Sequence, residues 1–158
     1  ILKKYNIKCV AEIGFNAGHS TSLFLDNKNI NKVISFDLCK HKYSKKCIQY
    51  IQKTFNNRFD IICGDSTITI PIYINKYVFD LIFIDGGHYD NIPFLDIQNT
   101  IRYLSNKNTL LLIDDTYYSF IINKLTKHTV DKAVFYYIKH NKIKKISSIP
   151  GLSLYTLL

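Results

Sequence analysis

The sequence predicts an α/β fold: a Rossmann-like doubly wound sheet, mostly parallel, of seven strands with a C-terminal antiparallel hairpin. Three observations predict it. Apolar runs rich in Ile, Val, Leu and Phe alternate with helical patterns, as strands buried on both faces do. The first run, from Cys9, breaks at Gly14 into a short turn closed by Gly18, and a helical pattern opens at His19-Ser20. The last two runs, Lys142–Ile149 and Leu152–Leu158, flank Pro150-Gly151, a turn short enough to imply an antiparallel hairpin.

The elements follow in order. Strands are expected near Cys9–Gly14, Lys32–Asp37, Phe59–Cys63, Phe79–Asp85 and Thr109–Asp114, each an apolar run ending at or beside Gly or Asp. Helices are expected near Ser20–Asn27, Lys42–Phe55 and Asn91–Leu104, with one or two pieces between Tyr118 and His140. In the second helix Ile48, Ile51 and Phe55 share one face, and Pro93 suits the first turn of the third. No repeat, low-complexity tract or linker interrupts the pattern, so residues 1–158 read as a single domain, long enough for one well-buried core.

Composition narrows the class. No run of about 18 apolar residues is present, so no membrane span is expected. No secretory pattern opens the chain. The four cysteines lack Cys-x-x-Cys spacing; Cys9 and Cys63 sit in apolar runs and read as buried thiols, which favours a reducing, cytoplasmic setting over a disulfide framework. The formal charge of +9 comes almost wholly from lysine, with only Arg58 and Arg102 as arginines. Lysines spread along the chain read as a solvated surface, so nucleic acid is disfavoured, although anionic substrates and RNA stay open. Nothing specifies an oligomer, but the hairpin edge or the apolar start could pair with a second copy.

The first turn carries the most chemistry. A strand, a Gly-bounded turn, a helix and then, about twenty residues on, a second strand ending on Asp37 form a βαβ nucleoside-binding arrangement. Asp37 can accept both ribose hydroxyls, or cap a helix. Asn16 stands where the middle glycine of the dinucleotide fingerprint belongs, and that glycine is what admits a pyrophosphate. A ligand with a ribose and no pyrophosphate is therefore favoured.

At these residues the chain resembles the class I S-adenosylmethionine-dependent methyltransferases. Glu12-Ile-Gly-Phe-Asn-Ala-Gly-His-Ser20 looks most like the branch containing small-molecule and sugar O-methyltransferases. The terminal hairpin is typical of the same fold and atypical of dinucleotide dehydrogenases. The resemblance implies S-adenosylmethionine as cofactor and a cofactor-binding set of Glu12, Gly14, Asn16, Gly18, His19, Ser20, Asp37, Asp65, Ser66 and Asp85. Within it, Gly14 and Gly18 turn around the methionine moiety, Asn16 and His19 offer polar contacts, and Glu12 orients the loop or meets the amino group. Ser20 is equally a helix cap, and Gly64-Asp65-Ser66 reads evenly as an adenine contact or a turn.

Phe79-Asp-Leu-Ile-Phe-Ile-Asp85-Gly-Gly-His88-Tyr89 resembles the strand-four motif of that branch, where the Asp and His face the transferred methyl. Leu110-Leu-Leu-Ile-Asp114-Asp115 resembles its strand-five end. The likeness implies Asp85 and His88 as catalytic residues and Asp85, Asp114 and Asp115 as ligands for Mg²⁺ or another hard divalent cation. Three converging carboxylates repel unless a cation neutralises them. The alternative is that Asp115 caps a helix, that no metal binds, and that His88 is the general base or a plain loop histidine.

The expected acceptor is a small molecule or sugar, with Tyr89, Tyr117 and Tyr118 near its pocket. A helical cap over the acceptor is expected to be short or absent, leaving the pocket open or completed by another chain. A Pro-Pro-Tyr-type motif is missing after strand four, which argues against amino methylation of bases. A domain that keeps the fold without catalysis is the remaining alternative.

Overall fold

The computed structural model describes residues 2, 4–73, 77–116 and 129–158. Seven strands form one sheet: β1 Cys9–Ile13, β2 Lys32–Asp37, β3 Phe59–Cys63, β4 Leu81–Ile84, β5 Leu110–Thr116, β6 Ile143–Ile149 and β7 Gly151–Leu157. Their order across the sheet is β3-β2-β1-β4-β5-β7-β6. β1 to β5 pair in parallel; β7 enters antiparallel between β5 and β6. This is the predicted doubly wound sheet with its terminal hairpin. The switch of winding direction falls between β1 and β4, so a crevice opens beyond their carboxyl ends.

Period-two alternation sorts the strand residues onto two cores. Ala11, Ile13, Ile34, Phe36, Ile82, Ile84, Leu111 and Ile113 face one side, with Ile70, Ile97, Val130 and Val134 from the helices there. Val10, Val33, Leu81, Phe83, Leu110 and Leu112 face the other, against Phe24, Leu25 and Ile51. Two buried faces explain why the central strands read as unbroken apolar runs.

The helices are α1 His19–Asp26, α2 Ser44–Phe55, α3 Ser66–Ile72, α4 Ile92–Asn99 and α5 Thr129–Lys139. In α2, Ile51 is buried and Ile48 and Phe55 pack beside it, as their spacing predicts. Pro93 sits in the first turn of α4, which runs on into one π-helical turn, Thr100–Leu104. α3 is not anticipated by the sequence. Its segment, Ser-Thr-Ile-Thr-Ile-Pro-Ile, is β-branched and contains Pro71, both poor helix signals. Asp65 nucleates it by accepting the Thr67 N–H at 2.9 Å. The predicted helical pieces before Thr129, and Tyr117 and Tyr118, lie outside the described residues. No described helix is long and apolar enough to cross a membrane.

One expectation is overturned. Cys63 is not a free buried thiol: it is bonded to Cys39, with Cα atoms 5.5 Å apart. The sheet register explains the meeting. Asp37 lies opposite Cys63, so the turn after β2 brings Cys39 back over the end of β3. Cys9 is buried and unpaired as expected, and Cys47 is also free. Of the two arginines, Arg58 is committed to the main chain, bonding the carbonyls of Leu25, Asn27 and Ile30.

The disulfide closes a span of 24 residues in sequence. Loop-closure entropy puts its contribution at roughly 3 kcal/mol. Urea unfolding with and without dithiothreitol is expected to differ by about that amount. The Cys39→Ser variant should be insensitive to reductant; equal midpoints for the oxidised and reduced wild type would disprove the bond.

Candidate active site

Beyond the carboxyl ends of β1, β2, β3 and β4 lies a cavity of about 440 Å³. That volume is in the range of small-molecule and cofactor pockets. Gly14, Asn16, Asp37, Asp65, Ser66 and Asp85, all predicted cofactor residues, line it. Gly18, His19, Ser20 and Glu12 do not. Glu12, Gly18 and Ser20 belong to the structure behind its wall, and His19 is exposed at the start of α1.

Glu12 shows why. Its side chain is fully buried and accepts hydrogen bonds from the hydroxyls of Ser20, Thr21 and Ser35. Three hydroxyls offset part of the desolvation cost, yet burial still raises its pKa. The carboxylate ties α1 to β1 and β2. Ser20 is therefore a tether rather than a cap; the N-cap of α1 is Gly18, with φ +82° and no side-chain bond.

Gly14 permits the close approach on which the crevice depends. Its φ is +96°, and a Cβ there would stand 1.9 Å from the Asp85 carbonyl oxygen. Its N–H donates to the Phe36 carbonyl at 2.8 Å, and the Asp85 N–H donates to the Ile13 carbonyl at 2.8 Å. The loops after β1, β2 and β4 thus meet backbone to backbone. Asp37 completes the join. Its Oδ2 accepts the N–H groups of Phe15 and Asn16 at 3.0 and 2.9 Å, and its Oδ1 accepts the Cys39 N–H at 2.6 Å. A carboxylate has about four lone-pair positions, so roughly one remains on Oδ1 for a ligand hydroxyl. Asn16 is itself held, its Oδ1 accepting the Tyr43 hydroxyl.

The acidic end of the site is organised differently from the sequence reading. Asp85, His88 and Asp115 bring one ligand atom each to within 4.8 Å of one another. His88 Nδ1 and Asp115 Oδ2 are 3.1 Å apart. Asp114, expected as the third carboxylate, is not in this group. It lines a separate cavity of about 10 Å³ with His88, Gly86, Gly87 and Asp96. The cause is local: β5 is irregular in its pairing with β7 between Asp114 and Thr116, and Asp115 takes φ +52°. A bulge of this kind re-aims one side chain of a strand. The Thr129 hydroxyl bonds the His88 carbonyl, fixing the loop after β4 from α5.

Burial, then the charges of Asp114, Asp115 and Glu12, pushes Asp85 up to about 7. Asp85 is therefore poised near neutrality. A second buried acid, Asp96, received no role in the sequence reading. Burial raises it to about 6, and it accepts the Ser66 hydroxyl at 2.6 Å. The only sequence signal for it was an acid among the apolar positions of a helix.

Comparison with known proteins fits this architecture. A family model described as a methyltransferase domain matches residues 11–116, well over half of the chain. The chain belongs to that family, the class I S-adenosylmethionine-dependent methyltransferases. A search against curated proteins finds no significant match. Among solved structures, it is similar to an O-methyltransferase from Bacillus cereus in complex with S-adenosylhomocysteine: TM-score 0.75, 14% identity, 99% of this chain and 77% of that one. It is also similar to TomG, an O-methyltransferase from Streptomyces achromogenes involved in tomaymycin synthesis, in complex with S-adenosylmethionine: TM-score 0.72, 11% identity, 99% and 75% coverage. An rRNA methylase from Streptococcus thermophilus follows at TM-score 0.65, 13% identity, 97% and 88% coverage.

Two outcomes are expected. Gly14→Ala forces backbone apart at the junction; it should cost about 3 kcal/mol or more. Chemical denaturation measures this, and a loss below about 1 kcal/mol would refute the close approach. The second concerns pH. Without metal, folded Asp85 holds its proton up to about 7, whereas the unfolded chain releases it in the ordinary carboxylate range. The folded state then binds more protons, so this acid's contribution to stability falls as pH rises from about 4 to about 7. Asp85→Asn should reduce that slope in melts across this range. Asp96 adds a contribution of the same sign over a shorter window, ending near 6.

Proposed function

We propose that this chain, acting as one methyltransferase domain over residues 1–158, transfers the methyl group of S-adenosylmethionine to a hydroxyl of a small molecule or sugar, assisted by a hard divalent cation. The observation that carries this reading is the convergence of Asp85, His88 and Asp115 at the edge of a cavity that Asp85 itself lines.

The donor set suits a cation. Two carboxylates and one imidazole crowd together, and burial, with the nearby acids second, raises the Asp85 pKa. Oxygen ligands favour Mg²⁺ or Mn²⁺, and the imidazole moves the preference toward Mn²⁺. Such an ion would orient an acceptor hydroxyl and lower its pKa. Asp114 stays outside this ligand set and contributes charge beside it.

The chain's own groups supply the rest. Gly14 and Asp37 hold the ribose; Asp65 and Ser66 face the base. Where the three groups hold no cation, His88, oriented by Asp115, or Asp85, with its pKa near neutrality, would take the proton that the acceptor hydroxyl loses. The methyl moves by in-line displacement from a sulfonium, so positioning and proton removal suffice and no covalent intermediate is needed.

Methylation of RNA is the second reading. Lys40 and His41 on the cavity wall and the charge of +9 favour it. The commitment of Arg58 to backbone carbonyls disfavours it.

Calorimetric titration of S-adenosylmethionine and S-adenosylhomocysteine, with and without Mn²⁺ or Mg²⁺, tests the proposal. Saturable binding is expected, weakened about tenfold or more by Asp37→Ala. Asp115→Ala should remove the metal heat and leave nucleoside binding intact. Labelled methyl transfer to a panel of polyols, sugars and phenols, with RNA in parallel, then separates the two readings. No binding of either nucleoside would sink the enzymatic reading.

A further inference from the structure

Asp96 is costly where it stands. Its side chain is 1% exposed, inside the buried face of α4, and its Oδ2 has no hydrogen-bond partner. A buried carboxylate with an unmatched oxygen is a large expense for a fold. A polar neutral residue or leucine would be cheaper to bury. The one polar group Asp96 does engage is the Ser66 hydroxyl, at 2.6 Å through Oδ1. Ser66 in turn lines the 440 Å³ cavity. Oδ2 lies against the loop after β4: a Cβ on Gly86 would come within 2.6 Å of it. The carboxylate is thus wedged between two walls of the cavity.

Hydrogen-bond arithmetic gives this position a use. A serine hydroxyl has one hydrogen and two lone pairs. Once ionised, as above about 6, the Asp96 carboxylate cannot donate, so the Ser66 hydrogen must point at it. Toward the cavity Ser66 can then only accept. Asparagine at 96 would lack this property, because its amide can donate to Ser66 and turn the hydroxyl outward.

We infer that Asp96 is a positioning residue that fixes the Ser66 hydroxyl as an acceptor, so that the base end of the cavity selects a purine with a 6-amino group over one with a 6-oxo group. The inference rests on the proposed S-adenosyl reading of this cavity and extends it to a residue that does not touch the ligand. Facing a 6-oxo purine, Ser66 would present lone pair to lone pair, and neither group would be satisfied.

The test compares S-adenosylhomocysteine with its 6-oxo analogue, S-inosylhomocysteine, by calorimetry on the wild type, Asp96→Asn and Ser66→Ala, with thermal melts alongside. The wild type should prefer the 6-amino ligand by about tenfold or more. Ser66→Ala should reduce that ratio about fivefold or more, and Asp96→Asn should do the same by freeing the hydroxyl to donate. Asparagine is isosteric and removes a buried charge, so its melting temperature should hold or rise. A merely structural role would weaken both ligands in parallel and leave the ratio unchanged; that result, in either variant, overturns the inference. Equal wild-type affinity for the two ligands overturns it as well, while the S-adenosyl reading stands. Failure to bind S-adenosylhomocysteine removes that reading and this inference together.

Discussion

The ligand-facing end of this sheet depends on one buried carboxylate. Glu12 has no contact with solvent, and three hydroxyls from α1 and β2 converge on it. Remove any of them and a buried acid is left with an unmatched hydrogen-bonding position inside the core. The arrangement locks the first turn of α1 against β1 and β2. The five residues from Gly14 to Gly18 therefore have little freedom. Their path is set at one end by the Gly14 approach to the Asp85 carbonyl and at the other by the left-handed Gly18. Asp37 then holds the middle of the turn through the Phe15 and Asn16 N–H groups. Two acids that a motif would assign to the ligand do structural work first. That work shapes the cavity.

Around this fixed centre, the walls are joined by bonds of different kinds. The loop after β2 is tied to the end of β3 covalently, through Cys39–Cys63. The loop after β3 is tied to α4 by Ser66–Asp96. The loop after β4 is tied to β5 and α5 through His88, by Asp115 and by Thr129. Each tie joins neighbours that are far apart in sequence. The cavity is consequently a property of the whole sheet edge rather than of the first motif, and its volume is in place without a ligand.

The legibility of the chain follows the same division. Strands buried on both faces write themselves as apolar runs, which is why β1 to β5 stand within a few residues of their expected positions. The hairpin was legible because Pro150-Gly151 leaves no room for another connection. α3 was not, since its seven residues have strand-like composition and its one honest signal, the capping Asp65, also reads as a turn. The disulfide depends on register: Cys39 and Cys63 meet only once Asp37 is paired with Cys63. The cavity residues Gly14, Asp37, Asp65 and Ser66 could be named from strand ends because chain topology alone carries them there. Glu12 and Asp96 could not be sorted from ligand-facing acids, because burial is a tertiary fact.

The acidic cluster marks where sequence reasoning reaches its limit. Asp114 and Asp115 are adjacent, and a regular strand sends neighbours to opposite faces. Nothing in their order says which of them turns toward Asp85. The irregular pairing of β5 with β7 and the left-handed backbone at Asp115 decide it, and they bring His88 into reach at 3.1 Å. The consequence is chemical as well as geometric. Replacing a third carboxylate by an imidazole lowers the negative charge of the group by one and supplies a ring nitrogen that can accept a proton or a metal. The same cluster can then hold a cation through two carboxylates and a nitrogen, or operate as an oriented histidine beside a partly protonated Asp85. Which of these prevails is governed by the proton on Asp85. Below about 7 the folded site keeps that proton and the cation must compete with it; above about 7 the carboxylate is free to bind. Any metal affinity and acid–base chemistry at this sheet edge would therefore be controlled by one group whose pKa burial has brought to neutrality.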